Sequence, residues 1–599
     1  MSRTICTAAL LLTACVGKIS QPIDNVIPPG AGGGSGATGG GGMGTDDAGR
    51  PPSPFACDTA QTVTSLPLER LARTEYVNTL HAFITAAMPQ SGDTIYSALS
   101  TEIDKVPADI VTPIAGERRG GFSRLDQTVQ QATVNQTYSV AVATGAAMTS
   151  STARMTELMG SCATDSNTAN DAACLDAFVT RLGAVAYRHP LLAEEHDLLV
   201  QTAGSTPVDP AAVGDVVALM LTMPGFLYRL ESGGAQVSTD VYALDAYELA
   251  ARLAYHFWQG PPDGTLLAAA SSGDLLTDQG YAQQVDRLFH DAQTQESFDG
   301  FFQEWFRLDE LGPLDSRNSD PVFVAFAGAN LPTAGLRQAM FDEVLDSVRY
   351  AETNQESLDQ LLNDTHNFAR SSELAALYGV PAWDGTSAPG QLPAERAGLL
   401  TRAAFLSTGT ANTRPVMKGL RIRNGLLCDS VPPPPNNANA MPLPLSPDDT
   451  TREVLEKLTQ QPGTACASCH ANMLNPLGFA TENFDSLGRH RTTQTLYDAT
   501  GGVLGAKPVD TTSVPQVPLG NMTHSSGIGD VTTLINQSGK LDSCFARQYF
   551  RFTFRRPEDT TADGCALRAL DDGARMGSLA DALKAAALRP EFKTRRIVQ

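Results

Sequence analysis

The stretch LDAYELAARLAYHFW, Leu244 to Trp258, decides the fold class. Leu249, Leu253 and Phe257 recur at a spacing of four, which puts them on one face of a helix. Asp245 precedes that run and Glu248 follows three residues later. This is the pattern of a capping box, in which the two side chains take up free backbone N–H groups at a helix start. LERLARTEYVNTLHAFI repeats the helical spacing with Leu68, Ala72, Tyr76, Leu80, Phe83 and Ile84. Thr450 with Glu453 and Ser578 with Asp581 mark two further helix starts. Alternating patterns are scarce: only KPVDTTSVPQVPL, Lys507 to Leu519, reads as extended, and its prolines keep it out of the centre of a sheet. The expectation is a mainly α, multi-domain body.

A chain of 599 residues, 42 % of them hydrophobic, can bury several cores, about three or four modules by ordinary domain size. Turn-formers cluster at Ser232-Gly233-Gly234, around Trp383 in PAWDGTSAPGQLP, and in the polyproline-like run from Val431 to Pro447. The first fifteen residues, MSRTICTAALLLTAC, pair Arg3 with a short apolar run and end in Leu12-Thr13-Ala14-Cys15, the order of an export signal. The ending resembles the lipobox of bacterial lipoproteins, which would make Cys15 a lipidated N-terminus; an ordinary signal peptide with a chance cysteine is the plainer alternative. From Pro28 to Pro54 the chain is Gly- and Pro-rich with almost no apolar side chains, a flexible tether. With no later apolar run of spanning length, lipid would be the only membrane attachment.

The net charge of −22 disfavours nucleic acid and anionic surfaces as partners. No phosphate-binding glycine loop, H-E-x-x-H or G-x-S-x-G pattern occurs. Of 10 cysteines, removing Cys6 with the signal and Cys15 to lipid leaves an even set in an oxidising compartment. Cys162 with Cys174 and Cys544 with Cys565 are the near neighbours expected to pair.

The chemistry is concentrated in CASCHANMLNPLGF, Cys466 to Phe479. In an exported protein C-x-x-C-H is the attachment sequence of c-type haem. Cys466 and Cys469 would be the thioether donors and His470 the proximal iron ligand. A disulfide between the two cysteines, a redox dithiol, or a zinc site completed by Cys428 with His490 or His524 compete with one covalent haem c. Met473 lies too close to His470 to reach the opposite haem face, so Met441, Met522 or His524 are the distal candidates, of which Met522 and His524 are preferred. Asn483, Asp485, Arg489 and Arg491 could face haem propionates or form a local salt-bridged turn. Arg555-Arg556 and Arg595-Arg596 read as solvated faces or helix-end charges, and Trp258, Trp305 and Trp383 as core.

The segments RLARTEYVNTL, CLDAFVTRLGAVAYRHPLLAEE, LDAYELAARLAYHFWQGPPDGTLLAAA, FFQEWFRLDEL, RAGLLTRAAFLS, GLRIRNGLLCDSVPPPP, CASCHANMLNPLGFATENFDSLGRHR and CFARQYFRFTFRRPED occur in that order after about Leu66. Together they resemble large secreted bacterial proteins built from domains of unknown function numbered fifteen ninety-five, fifteen ninety-two, fifteen eighty-eight and fifteen eighty-five. The resemblance implies no established reaction. It implies a cytochrome-c-like helical module near the C-terminus, with Cys466, Cys469 and His470 at the haem and Asn475 to Asp485 as the signature after it. A bond from Cys428 to either motif cysteine would displace haem. The expected organisation is a lipoprotein signal over 1–15, a flexible linker over 16–54, N-terminal helical modules over 55–235, a central helical domain over 236–385, the C-x-x-C-H module over 386–500 and a C-terminal helical domain over 501–599. The functional expectation is electron transfer at the cell envelope with a redox partner, from an outer-membrane lipoprotein on its periplasmic or surface side. A haem-dependent oxidase or peroxidase and a haem-free disulfide-stapled scaffold are the alternatives.

Overall fold

The stretch read first folds as the helix Ala246–Phe257, and its capping box is formed. The Asp245 carboxylate accepts from the Glu248 amide at 2.8 Å, and the Asp245 amide donates to the Glu248 carboxylate at 3.0 Å. Every residue from Glu248 to Phe257 is buried, so this helix is enclosed on all sides instead of lying on a surface. Leu249, Leu253 and Phe257 enter one apolar core, and Ala251 and Tyr255 enter a second. The helix is thus a wall shared by both.

The computed structural model describes residues 46, 49–59, 68–114, 121–206, 208–396, 398–433 and 446–597. The proposed signal over 1–15 with Cys15, most of the linker, most of the proline-rich connector and Met441 lie outside them. The described residues belong to one unit, Thr45–Gln599, and are mainly helical. The second core is built by helices that include Arg73–Ala87, Gln131–Met148, Asp171–Tyr187 and Pro210–Thr222; the first runs from Phe55 to Phe592 in sequence. Leu68 precedes its helix and is half exposed, whereas Ala72, Tyr76, Leu80, Phe83 and Ile84 are buried as their spacing requires. Trp258 and Trp305 are core residues, and Trp383 is partly exposed.

Strands are few and short. Glu69–Arg70 pairs antiparallel with Tyr228–Arg229, and Val241–Ala243 lies between Gln236–Ser238 and the C-terminal strand Thr594–Arg596. The strand Val503–Pro508, paired with Thr493–Tyr497, enters the region read as extended only at Lys507 and Pro508, and the rest of that region is a loop. Among the described residues no helix is long and apolar enough to cross a membrane.

Among the described residues three disulfides close the body. Cys162 bonds Cys174. Cys544 and Cys565 are not joined to each other, contrary to their proximity in sequence: Cys544 bonds Cys428 and Cys565 bonds Cys57. Long loops cost little more to close than short ones, so helix packing, not separation, selects the partner. The two residues sit on successive helices, Lys540–Phe554 and Gly564–Met576, and meet different neighbours.

Arg555 and Arg595 are buried, so neither belongs to a solvated face; of the two readings, Arg555 is the helix-end charge, closing the helix Lys540–Phe554. Arg555 donates to Glu75 at 2.9 Å across 480 residues and lies 3.7 Å from Glu69. Glu69 also pairs with Arg229, which lies 3.2 Å from Glu231, and Glu231 accepts from Arg252 at 2.9 Å and from Arg595 at 3.2 Å. Burial alone would raise the Glu75 carboxyl, but Arg555 and Arg124 beside it hold it below the usual range; Arg252 and Arg229 in the same way hold Glu231 at about 2 despite its burial. Arg50, inside the stretch read as flexible linker, is buried too: it bonds Asp46 at 2.7 Å, Asp359 at 3.1 Å and Asp542 at 3.2 Å.

Arg555→Met leaves Glu75 charged and short of its main partner in the core. The expected loss is about 3–5 kcal/mol in urea unfolding, far more than an exposed arginine would cost. The Asp542 carboxyl is pushed up to about 7, by burial first and by Asp359 next. A carboxyl raised on folding binds its proton more tightly in the native state, so its contribution is present at low pH and lost as pH climbs from about 4 to about 7. Wild type should therefore lose stability relative to Asp542→Asn across that window, by at most about 1.4 kcal/mol per pH unit, and a pH-independent difference would contradict it.

Candidate functional site

The motif begins as the short helix Ala465–Cys469, capped by Thr464, whose hydroxyl accepts from the Ala467 amide at 3.2 Å. It widens into a π-helical turn, His470–Leu474, in which the Asn475 amide bonds the His470 carbonyl, and continues as Asn475–Phe479. Such turns insert one residue into a helix and recur at functional sites. Cys466 is exposed and Cys469 half-buried, and neither is bonded to another cysteine. The other six described cysteines are all in disulfides.

Two glycines seat this segment. A Cβ on Gly419, in the helix Pro415–Arg421, would lie 1.9 Å from the Leu474 carbonyl oxygen, and one on Gly478 would lie 2.0 Å from that of Pro415. The two backbones touch where any side chain would hold them apart. Arg423, buried in a second π-helical turn, Ile422–Leu426, donates to the Met473 carbonyl at 3.1 Å, Pro515 at 2.9 Å and Gln516 at 3.2 Å, and pairs with Asp429 at 3.0 Å. Burial presses its pKa down while Asp429 opposes the loss of charge.

That arginine ties the loop after Pro515 to the motif, and Gln516 adds a bond to Asn472 at 3.4 Å. Met522 and His524 stand on this loop and both are exposed. Met473 packs against Leu420, Val431 and Leu474 and serves as a contact. His470, half-buried, places Nδ1 3.1 Å from the Asn475 side-chain oxygen.

Of the residues considered for propionates, Arg489 pairs with Asp485 at 2.7 Å and caps the Phe326 and Ala327 carbonyls, each at 2.9 Å. Arg491 donates to the Asn483 carbonyl through its amide and pairs with Glu482 at 3.2 Å. They form the salt-bridged turn and brace it on the central helices. Cys428 is bound to Cys544, which removes it from a zinc set with His490 or His524, and no cluster of three His, Cys, Asp or Glu suited to a metal occurs among the described residues. Sequence reasoning passed over Arg423, Gly419 and Gly478, although a glycine inside a helical pattern is a signal of close backbone approach.

Two segments match known families. Residues 244–380 match PSD4, Protein of unknown function (DUF1592), and residues 396–494 match PSCyt3, Protein of unknown function (DUF1588). The second spans Gly419, Arg423, the cysteine motif and the salt-bridged turn, so the docked pair of segments is the matched unit. No curated protein and no solved structure matches the chain.

Gly478→Ala should cost roughly 1–3 kcal/mol, since the contact it meets is backbone and cannot swing aside. Hydrogen exchange should quicken from 465 to 480 and in the helix Pro415–Arg421 while the helix Ala246–Phe257 stays protected. Uniform or absent change would contradict the docking role.

Proposed function

We propose that the protein is an exported, lipid-anchored c-type haem protein that takes part in electron transfer at the cell envelope. The observation that carries this reading is the pair of open thiols at Cys466 and Cys469 in a body whose other described cysteines are all bridged. The bridges themselves support an oxidising compartment, where an unclaimed vicinal pair would be expected to close. Two thiols on one face of a helical turn, followed by a half-buried imidazole, form the donor set that a covalent haem needs. Cys466 and Cys469 would hold its edge and His470 its iron. The haem would supply one-electron chemistry at a potential set by its second axial ligand and its cover.

The surroundings also suit a porphyrin. Met417, Leu458, Leu519 and Met522 are 42 %, 58 %, 49 % and 66 % exposed. They stand on three elements that bond or pack directly on the motif: the helix Pro415–Arg421, the helix Thr451–Thr459 and the loop tied by Gln516. Exposed apolar side chains on elements that adjoin a candidate site are what an apolar cofactor could cover. Met522 or His524 is the distal ligand in this reading, and diacylglycerol on Cys15 the anchor, in the outer membrane.

The mature protein, produced with haem-attachment machinery, should show a Soret band and retain haem stain after denaturation, and Cys466→Ala with Cys469→Ala should lose both. Three disulfides on a helical body also fit a haem-free scaffold. An unstained protein with Cys466 and Cys469 joined to each other would establish that reading instead.

A further inference from the structure

The side chains behind His470 form a chain of three hydrogen bonds whose directions are fixed from its far end. Thr459, the last residue of the helix Thr451–Thr459, donates its hydroxyl proton to the Leu455 carbonyl at 2.7 Å. With that proton committed, Oγ1 can only accept. It accepts from the Asn475 side-chain NH2 at 3.0 Å. The amide orientation is thereby set, and its oxygen faces His470 Nδ1 at 3.1 Å. An oxygen with no proton to give leaves Nδ1 one role, that of donor, so the neutral ring carries its proton on Nδ1 and its lone pair on Nε2.

We propose that Thr459 and Asn475 are positioning residues that lock His470 in the Nδ1–H tautomer and present Nε2 as the metal-binding atom. The proposal rests on the haem reading for its purpose, but the tautomer itself is a property of the haem-free protein. Asn475 is completely buried, so water does not compete for its amide. The post that holds Thr459 is firm: its helix starts with a capping box at Thr450 and Glu453, Lys507 reaches Glu453 at 3.0 Å, and Arg452 pairs with Asp510 at 3.1 Å. A hydrogen bond at the outer nitrogen of a ligating histidine fixes its ring and raises its basicity.

The decisive measurement is the nitrogen NMR of His470 in the full chain carrying Cys466→Ala and Cys469→Ala, which takes up no covalent haem. A pyridine-type Nε2 and a protonated Nδ1 are expected. Thr459→Val, isosteric but without the hydroxyl, frees the Asn475 amide to turn its NH2 towards Nδ1. The tautomer ratio should then move at least several-fold towards Nε2–H, while Thr459→Ser should keep the native state. A native ring protonated at Nε2, or a ratio unmoved by Thr459→Val in a protein with native amide dispersion, overturns the proposal. In the haem-loaded protein Thr459→Val should raise the reduction potential, and an unchanged potential would count against it. If wild type takes up no haem the electron-transfer reading fails, and the tautomer result still stands or falls alone.

Discussion

Glu75 is fully buried and remains ionised because Arg555 reaches it from the far end of the chain. An uncompensated carboxylate in that position would be too costly to bury, so the packing of the helix Arg73–Ala87 depends on Arg555, with Arg124 beside it. The pairing then propagates. Glu69, just before that helix, passes the constraint through Arg229 to Glu231, which holds both Arg252 and Arg595, the latter in the strand that pairs with Val241–Ala243. Arg555 caps the helix Lys540–Phe554, and the same helix carries Cys544 to its bond with Cys428. Cys428 follows the turn that holds Arg423, and Arg423 grips the motif. A buried charge relay thus places the candidate site through one helix and one disulfide.

The parts legible in sequence are those governed by neighbours a few residues apart. Capping boxes at Asp245, Thr450 and Ser578 are formed because each needs only a side chain and an amide within one turn. The buried face of Arg73–Ala87 follows from its spacing, and the C-x-x-C-H pattern announces itself. What sequence did not disclose depends on contacts hundreds of residues long. Arg555 looks like a surface charge until Glu75 is beside it. Cys544 and Cys565 look like partners because helix packing is invisible in a string of letters. Arg489 and Arg491 look available, but carbonyls and carboxylates on adjoining segments claim them.

The site shows the same division at smaller scale. Cys466, Cys469 and His470 were readable as a set, yet nothing in a five-residue pattern says which ring nitrogen points outward or what holds the segment still. Those properties belong to Thr459 on one helix, to Gly419 on another and to Arg423 in a turn. Each makes a contact defined by backbone approach or hydrogen-bond direction, which composition does not encode.

The π-helical turn links the two levels. In a regular α-helix, residues five apart diverge by about 140° around the axis, so His470 and Asn475 would face different ways. The wider turn, closed by the Asn475 amide on the His470 carbonyl, returns the fifth residue to the side of the first. The two side chains can then meet at 3.1 Å. The same turn leaves a main-chain carbonyl at Met473 for Arg423 to satisfy, and Gly419 and Gly478 let the irregular backbone be pressed flat against its neighbour. One inserted residue therefore accounts for the histidine's partner, for the buried arginine and for the need for glycine on both faces of the contact. A motif threaded on a regular helix would keep its sulfurs and its imidazole and lose the orientation of both ring nitrogens.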